Sequence, residues 1–370
     1  MKLTRSLGLR ALCALSSFNG ALAAPAVAKD EIALRAAIAV KLNSSASLAR
    51  SVAGADIVED LVRKALSNSG HSKREAQFNV LPLITTLTLD QISEMIERAT
   101  KLTPSYKPGD FSSWFQVQFP QYAADEENPE ITQLLSKLAA HVVGITRTVS
   151  GVPVENEPEA ILDAANYLAP GDVMLLEMQT GDANGDLWPV EILDAQFDAI
   201  SLATALGIIV IEPAANGGMD MDQPVLRPGD TTAVAILNRS SPEFRDSGAV
   251  VVGAGSAALP RSRLPFSNYG SRVDVHSWGE GITTSSVVTS DFSNDDTYDE
   301  FSGTSGASPI VAGAALSIQG MVQANRGARL TPAEMRNLLT VGGTPSADPA
   351  ADKIGVQPDL RALIDGGYLE

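Results

Sequence analysis

The sequence is poor in cysteine, in histidine and in basic residues. Its 370 residues include one cysteine, Cys13, and three histidines. Because Cys13 lies inside a predicted signal segment, the mature chain would have no thiol for a disulfide or for thiol chemistry. Lysine and arginine number 27 against 44 aspartates and glutamates, whereas proteins that bind nucleic acid rely on basic side chains to neutralise phosphates. We therefore expect no nucleic-acid partner.

Long apolar runs are also scarce outside the N-terminus. There, a basic segment, an apolar segment and the small-residue triplet Ala21-Leu22-Ala23 follow one another, an order typical of a secretory signal. We predict that residues 1–23 are a signal peptide and that the protein is extracellular; the alternative is an apolar N-terminus of a cytosolic protein. No other run looks long and apolar enough to span a bilayer, so we expect no membrane contact after signal removal.

The rest of the chain divides into two regions by pattern. Residues 24–140 mix helix-like and strand-like segments. Further along, apolar strands alternate with helices, beginning with a helix over 157–168 and strands over 173–178, 208–211 and 249–252. Strands that are apolar throughout are typical of a parallel sheet covered on both faces. The alternation predicts a three-layer α/β fold with a mainly parallel sheet.

The segment FSGTSGASPIVAGAA, residues 301–315, carries the strongest chemical signal. Its glycines allow a sharp turn into a helix, and we expect Pro309 in the first turn, where its missing N–H is harmless. Ser305 would then lie at the positive end of the helix dipole, which favours an alkoxide forming there. The pattern predicts Ser305 as a nucleophile; a buried helix of small residues without chemistry is the alternative.

This segment resembles the nucleophile motif of the subtilisin-like serine peptidases, Gly-Thr-Ser-x-Ala-Ser-Pro, and matches every fixed position. The stretch IVIEPAANGG, residues 209–218, is similar to the family's strand ending in Ala-Gly-Asn-x-Gly, with Ala215 in place of the usual glycine. By resemblance, the side-chain amide of Asn216 donates to the oxyanion of the tetrahedral intermediate. A third stretch, FSNYGSRVDV at 266–275, resembles a turn and strand that support the wall of the family's active site.

The resemblance implies a subtilisin-like three-layer fold over residues 141–370. It also implies a secreted serine endopeptidase that forms an acyl-enzyme on Ser305, acts on polypeptides and requires no cofactor. Residues 24–140 would be a small α+β propeptide, which in this family assists folding and blocks the cleft until it is removed.

The aspartate and histidine motifs of the family are not found. The family's chemistry needs Asp, His and Ser in that order along the chain. The tripeptide Asp246-Ser247-Gly248 has the letters of the aspartate motif, but it follows Asn216, so we interpret it as a turn. The segment LAAHVVG, residues 138–144, aligns with the histidine motif only with Leu138 at the catalytic position. Alternatively, both segments are absent.

Three histidines could serve as the base. His141 aligns with the second, non-catalytic histidine of the family motif and is the best candidate. His71 lies in a polar loop, where a solvated side chain is expected, and His276 follows a strand and is interpreted as a wall residue. The competing hypothesis is a catalytically inactive relative that binds peptides, or a chain whose missing segments reflect an error in its coding sequence.

Three weaker patterns concern cations, carboxyl chemistry and the substrate cleft. The loop at 182–186 has oxygen side chains at calcium-loop spacing, so a structural calcium ion or a plain surface turn is expected. Glu159 and Asp163 have the spacing of the carboxyl groups in sedolisins, although Asn216 does not fit that family. The segment at 177–179 stands where subtilisin-like enzymes have Ser-Leu-Gly, and we expect it to line the cleft differently.

Overall fold

Two large β-sheets organise the part of the chain that the computed structural model describes. The described residues are 11–14, 36–42, 52–67, 78–119, 142–148, 156–286 and 297–370. The smaller of the two sheets belongs to the N-terminal region, and the larger belongs to the region in which strands and helices alternate.

The N-terminal sheet is antiparallel, with strand order β3-β4-β2-β5. Its strands are β2 (Ala36–Leu42), β3 (Asn79–Pro82), β4 (Trp114–Phe119) and β5 (Val142–Thr148), and its helices are α1 (Val52–Ser67) and α2 (Leu89–Leu102). Helix α2 begins with a capping box between Thr88 and Gln91, which satisfies two backbone N–H groups at its start. Strand β5 lies beyond the predicted boundary at residue 140, yet it pairs with β2. The sheet therefore takes in residues on both sides of that boundary.

The second sheet has seven strands in the order β1-β6-β9-β10-β11-β15-β14, all parallel except the last pair. The strands are β1 (Ala11–Ala14), β6 (Val173–Leu176), β9 (Ile209–Pro213), β10 (Val250–Gly255), β11 (Val275–Trp278), β14 (Thr344–Pro345) and β15 (Val356–Gln357). Strand β1 lies within the predicted signal peptide, so removal of residues 1–23 would leave β6 at the edge of the sheet.

Helices cover both faces of this sheet. The helices of this region are α3 (Glu157–Tyr167), α4 (Asp194–Ala205), α5 (Thr304–Arg326), α6 (Pro332–Thr340), α7 (Pro349–Asp352) and α8 (Leu360–Asp365). Met174 and Leu176 pack with α3 and α4 on one face, whereas Val173 and Leu175 pack with α5 on the other. Alternate residues of a strand point to opposite faces, so both sets become buried. This arrangement confirms the three-layer α/β fold.

The N-terminal region packs against α3 and α4. Leu83, Met95 and Trp114 share one buried cluster with residues of those two helices. At the start of α3, the Glu159 carboxylate accepts hydrogen bonds from Thr85 Oγ1 at 2.7 Å and from the backbone N–H of Thr86 at 2.6 Å. Glu159 therefore joins the two regions of the chain.

The described residues also form two hairpins. They are β7 (Gln179–Gly181) with β8 (Leu187–Pro189), and β12 (Ile282–Ser286) with β13 (Thr297–Phe301). The first hairpin follows the carboxyl end of β6, and the second leads directly into α5.

Helix α5 differs from two expectations. By length and composition, its 23 residues could cross a membrane, contrary to the expectation that no such segment follows the N-terminus. Half of its most apolar stretch is buried, because the helix packs on the strands of the sheet. Pro309 lies inside the helix and not in its first turn, so it has no N–H to donate to the carbonyl of Ser305.

Candidate active site

Three side chains lie near the carboxyl end of the parallel strands. Glu177 directly follows β6, Asn216 lies three residues beyond the end of β9, and Ser305 lies in the first turn of α5. Ligands of open α/β sheets bind at this end of the strands. The structure therefore brings together two residues that the sequence predicted, Ser305 and Asn216, and one that it did not, Glu177.

Gly303 makes the turn that places Ser305 at the start of α5. It caps the helix with φ of +131°, a conformation that residues with a side chain rarely adopt. Its carbonyl accepts from the backbone N–H of Gly306 at 3.0 Å, and its own N–H donates to the carbonyl of Gly279 at 2.8 Å. The Ser305 side chain is consequently held at the positive end of a 23-residue helix.

The carboxamide of Asn216 is fixed by the same turn. Its Oδ1 accepts from the backbone N–H and from Oγ1 of Thr304, both at 2.8 Å. Because a backbone N–H needs an acceptor, these bonds assign the oxygen and the nitrogen of the carboxamide. The Nδ2 group is therefore the part of Asn216 that can donate to a ligand. The backbone N–H of Asn216 donates to Gln179 Oε1 at 3.0 Å.

The loop around Asn216 combines backbone strain with several hydrogen bonds. Ala215, buried and just before Asn216, has φ of +75°, which costs an L-residue with a side chain about 1–2 kcal/mol. Asn268 Oδ1 accepts from the backbone N–H groups of Gly217 at 3.1 Å and Met219 at 2.8 Å. Asn268 belongs to the segment interpreted as a wall, and here it holds the loop that follows Asn216.

Glu177 lies beside the nucleophile. The neighbouring Ser305 hydroxyl favours the charged form of its carboxyl group, but burial has the larger effect and raises the pKa of Glu177 to about 8. Within the described part of the chain, its Oε1 is buried and has no hydrogen-bond partner. A carboxyl group with a pKa near neutral can both accept and return a proton at ordinary pH.

No histidine among the described residues contacts Ser305. His276 lies on β11, is fully buried, and has a pKa that burial lowers to about 4, so it is neutral at ordinary pH. The groups that influence it are Ile354, Gly355, Arg261 and Asp352. His141, the predicted base, and His71 lie outside the described residues.

Two other predicted sites have structural contacts. Asp182 Oδ1 accepts from the backbone N–H groups of Asn184 and Asp186 at 2.8 and 3.0 Å, which makes a hydrogen-bonded turn between β7 and β8. Glu159 binds Thr85 and Thr86, as described above. No cluster of three or more potential metal ligands occurs among the residues described.

An ion-pair network lies at the amino ends of β10 and β11. Arg272 is fully buried and donates to Glu191 Oε1 and Oε2 at 2.6 and 2.9 Å, and to Asp274 Oδ2 at 3.0 Å. Asp246, from the tripeptide interpreted as a turn, accepts from Arg336 at 2.8 Å. Glu212 lies beside this network, and burial and then the charge of Glu191 raise its pKa well above the usual value.

The sequence missed Glu177 as a neighbour of Ser305. Its signal was the departure of residues 177–179 from the Ser-Leu-Gly of the family, which indicated an altered cleft. This departure could not show that Glu177 lies beside Ser305, because their proximity depends on how β6 and α5 pack in the fold.

Comparisons with known proteins agree with the motifs. A sequence profile of the subtilase family matches residues 158–354, whereas no curated protein sequence matches the chain significantly. Among solved structures, a cold adapted subtilisin-like serine proteinase is 24% identical with a TM-score of 0.37, over 57% of this chain and 62% of that one.

Two further solved structures are similar. The prenylagaramide maturation protease PagA is 20% identical with a TM-score of 0.40, over 60% of this chain and 70% of that one. A protease from Pseudoalteromonas arctica is 21% identical with a TM-score of 0.38, over 65% of this chain and 59% of that one. The chain spans less than two thirds of the length of the cold adapted proteinase reported above.

Proposed function

Since the chain belongs to the subtilase family, we propose that it is a secreted serine endopeptidase that hydrolyses peptide bonds through an acyl-enzyme on Ser305. The observation that carries this proposal is the fixed Asn216 carboxamide beside the turn that presents Ser305. Thr304 donates two hydrogen bonds to Oδ1 of Asn216. The Nδ2 group therefore remains to donate to the oxygen of a substrate carbonyl.

The reaction begins when Ser305 Oγ attacks the carbonyl carbon of a peptide bond. Negative charge then develops on the carbonyl oxygen, and a donor held in place beforehand stabilises it without reorganising. The amine leaves with a proton, an ester remains on Ser305, and water hydrolyses it. In subtilisin, an amide donor of this kind is worth about 10²–10³ in kcat. We expect Asn216→Ala to lose a similar factor.

Labelling with a fluorophosphonate tests the nucleophile. The purified full chain should form a covalent adduct on Ser305 and cleave peptides, whereas Ser305→Ala should form no adduct and lose cleavage by a factor of about 10⁴ or more. Ser302→Ala is the matched control, since Ser302 is an exposed serine of the same motif; it should label like the wild type. Absence of a Ser305 adduct in the folded wild-type chain would overturn the proposal.

A second candidate function is peptide binding without turnover. The observation in its favour is that no imidazole among the described residues contacts Ser305. Peptide binding detected by calorimetry, together with no adduct and no cleavage, would support it. Cleavage that depends on Ser305 would exclude it.

Secretion and a propeptide complete the proposal. The signal-like residues 1–23 support export, and the packing of the N-terminal region on α3 and α4 supports a segment that assists folding of the peptidase region. Residues 24–140 are proposed as that propeptide, with a polypeptide as the substrate. A structural calcium ion remains only a hypothesis from the sequence pattern at 182–186.

A further inference from the structure

The base that activates Ser305 is the part of the proposed reaction that the family motifs leave open in this chain. Glu177 is the titratable residue that the structure places against the Ser305 side chain. Strands β6 and β9 are neighbours, and Leu175 is in register with Ile211, so the segments that follow both strands leave the sheet side by side. One carries Glu177 and the other carries Asn216.

A hydrogen bond joins these two segments. Gln179 Oε1 accepts from the backbone N–H of Asn216 at 3.0 Å. Glu177 is two residues from Gln179, so this bond joins the segment that carries Glu177 to the segment that carries the oxyanion donor. The segment that replaces Ser-Leu-Gly is therefore tied to both residues predicted from the motifs.

The surroundings of Glu177 keep its carboxyl group basic. Burial and the Ser305 hydroxyl are the two influences on its pKa, and no charged side chain among the described residues contributes. With no cation to stabilise the carboxylate, the ionised group retains a high affinity for a proton. Its buried Oε1 has no partner among the described residues, so the structure around it offers no competing donor.

We propose that the Glu177 carboxylate is the general base that takes the proton of Ser305, an inference that rests on the proposed function. The Oγ–H bond breaks as Oγ forms a bond to the carbonyl carbon, and the proton moves to Glu177. The resulting carboxylic acid gives this proton to the amine nitrogen as the C–N bond breaks. In the second half, Glu177 takes a proton from the attacking water and returns it to Ser305 Oγ as the ester bond breaks.

The rate of Ser305 phosphonylation as a function of pH tests this assignment. The same base is needed, because the Ser305 proton must leave as the O–P bond forms and fluoride departs. Between pH 5.5 and 10, the wild-type rate constant should rise to a plateau with a midpoint near 8. Glu177→Gln should label about 100-fold more slowly, in the range expected for loss of a general base, and should lose this pH step.

Two further variants control the experiment. Glu177→Asp keeps a carboxylate and should retain a pH step with a lower plateau. Glu243→Gln, at an exposed site between β9 and β10, should behave like the wild type. Circular dichroism establishes that each variant is folded. If Glu177→Gln labels as fast as the wild type with the same pH step, the assignment of Glu177 is wrong while the proposed function stands. If the wild type itself does not label at any pH, the proposed function fails with it.

A second measurement checks the contact independently of activity. The carboxyl stretch of Glu177, assigned by infrared difference against Glu177→Gln, should titrate near pH 8 in the wild type. It should titrate at higher pH in Ser305→Ala, because the hydroxyl no longer stabilises the carboxylate. An unchanged midpoint in Ser305→Ala would overturn the pairing of the two residues.

Discussion

Two buried acidic sites of the same domain differ in how their charge is balanced. At the amino ends of β10 and β11, Arg272 is surrounded by carboxylates and pairs with Glu191 and Asp274. At the carboxyl end of β6, Glu177 is partly buried beside a neutral hydroxyl, and no cation contributes to its pKa. The first site is balanced by a cation, whereas the second is not.

The difference separates a structural role from a chemical one. A buried ion pair that is fully hydrogen-bonded keeps its charges over a wide pH range and holds the strands that it joins. A buried carboxyl group without a cation keeps its proton until a higher pH, and a pKa of this kind marks a candidate functional residue. The same side-chain type therefore serves two purposes in one domain, according to its partners.

Removing the cation should produce the largest loss of stability. In Arg272→Met, the carboxylate of Glu191 stays buried without its arginine, whereas Asp274 keeps Arg239 and Arg336. Breaking a buried pair in this way costs about 3–5 kcal/mol. We expect the free energy of unfolding, measured with urea at pH 7, to fall by that amount. Ser305 labelling of the folded fraction should persist, because the network lies away from the nucleophile.

Two controls separate buried charge from lost volume. The double variant Arg272→Met with Glu191→Met should recover part of the loss, because it removes both members of the pair. Lys101→Met breaks a pair of similar length, 2.7 Å, between exposed side chains, and should leave the urea midpoint unchanged. A double variant less stable than Arg272→Met would contradict the charge-balance explanation.

Replacing Glu177 should stabilise the protein at high pH, whereas replacing Arg272 should destabilise it. In the unfolded chain a glutamate loses its proton near pH 4.5, whereas folded Glu177 keeps it to about pH 8. The folded state therefore binds the extra proton between these values, and wild-type stability falls as pH rises from 4.5 to 8. Glu177→Gln lacks this loss, so its stability relative to the wild type should increase between pH 4 and pH 9 by about 3–5 kcal/mol, since each pKa unit is worth about 1.4 kcal/mol.

Urea unfolding at the two pH values measures this shift directly. Glu94→Gln, at an exposed position on α2, is the matched control and should follow the wild type at both pH values. Stability curves of Glu177→Gln and wild type that run parallel from pH 4 to pH 9 would show that the carboxyl group has an ordinary affinity for protons.

Features set by local sequence were the ones that could be predicted. The turn into α5 follows from Gly303 and the residues after it, and Asn216 was predicted from the local stretch at 209–218. Its contact with Thr304, 88 residues away, was not predicted. Glu177 and Arg272 could not be predicted as they are found, because their partners lie more than 80 residues away along the chain. The pairing of β5 with β2 was missed for the same reason, since antiparallel pairing between distant segments leaves no periodic pattern.

The smallest expected effect on stability comes from Ala215, beside the oxyanion residue Asn216. The strained backbone of Ala215 lies beside Asn216, at the carboxyl end of the parallel strands. Ala215→Gly should remove this strain, since glycine adopts φ of +75° without penalty. The gain is offset in part by the greater freedom of glycine in the unfolded chain, so we expect a stabilisation of up to about 1 kcal/mol. Ala214→Gly is the matched control, an equally buried neighbour without positive φ, and should lose about 1 kcal/mol. Equal losses in both variants would mean that the backbone at Ala215 stores no strain, and that the site beside Ser305 is as relaxed as the network around Arg272.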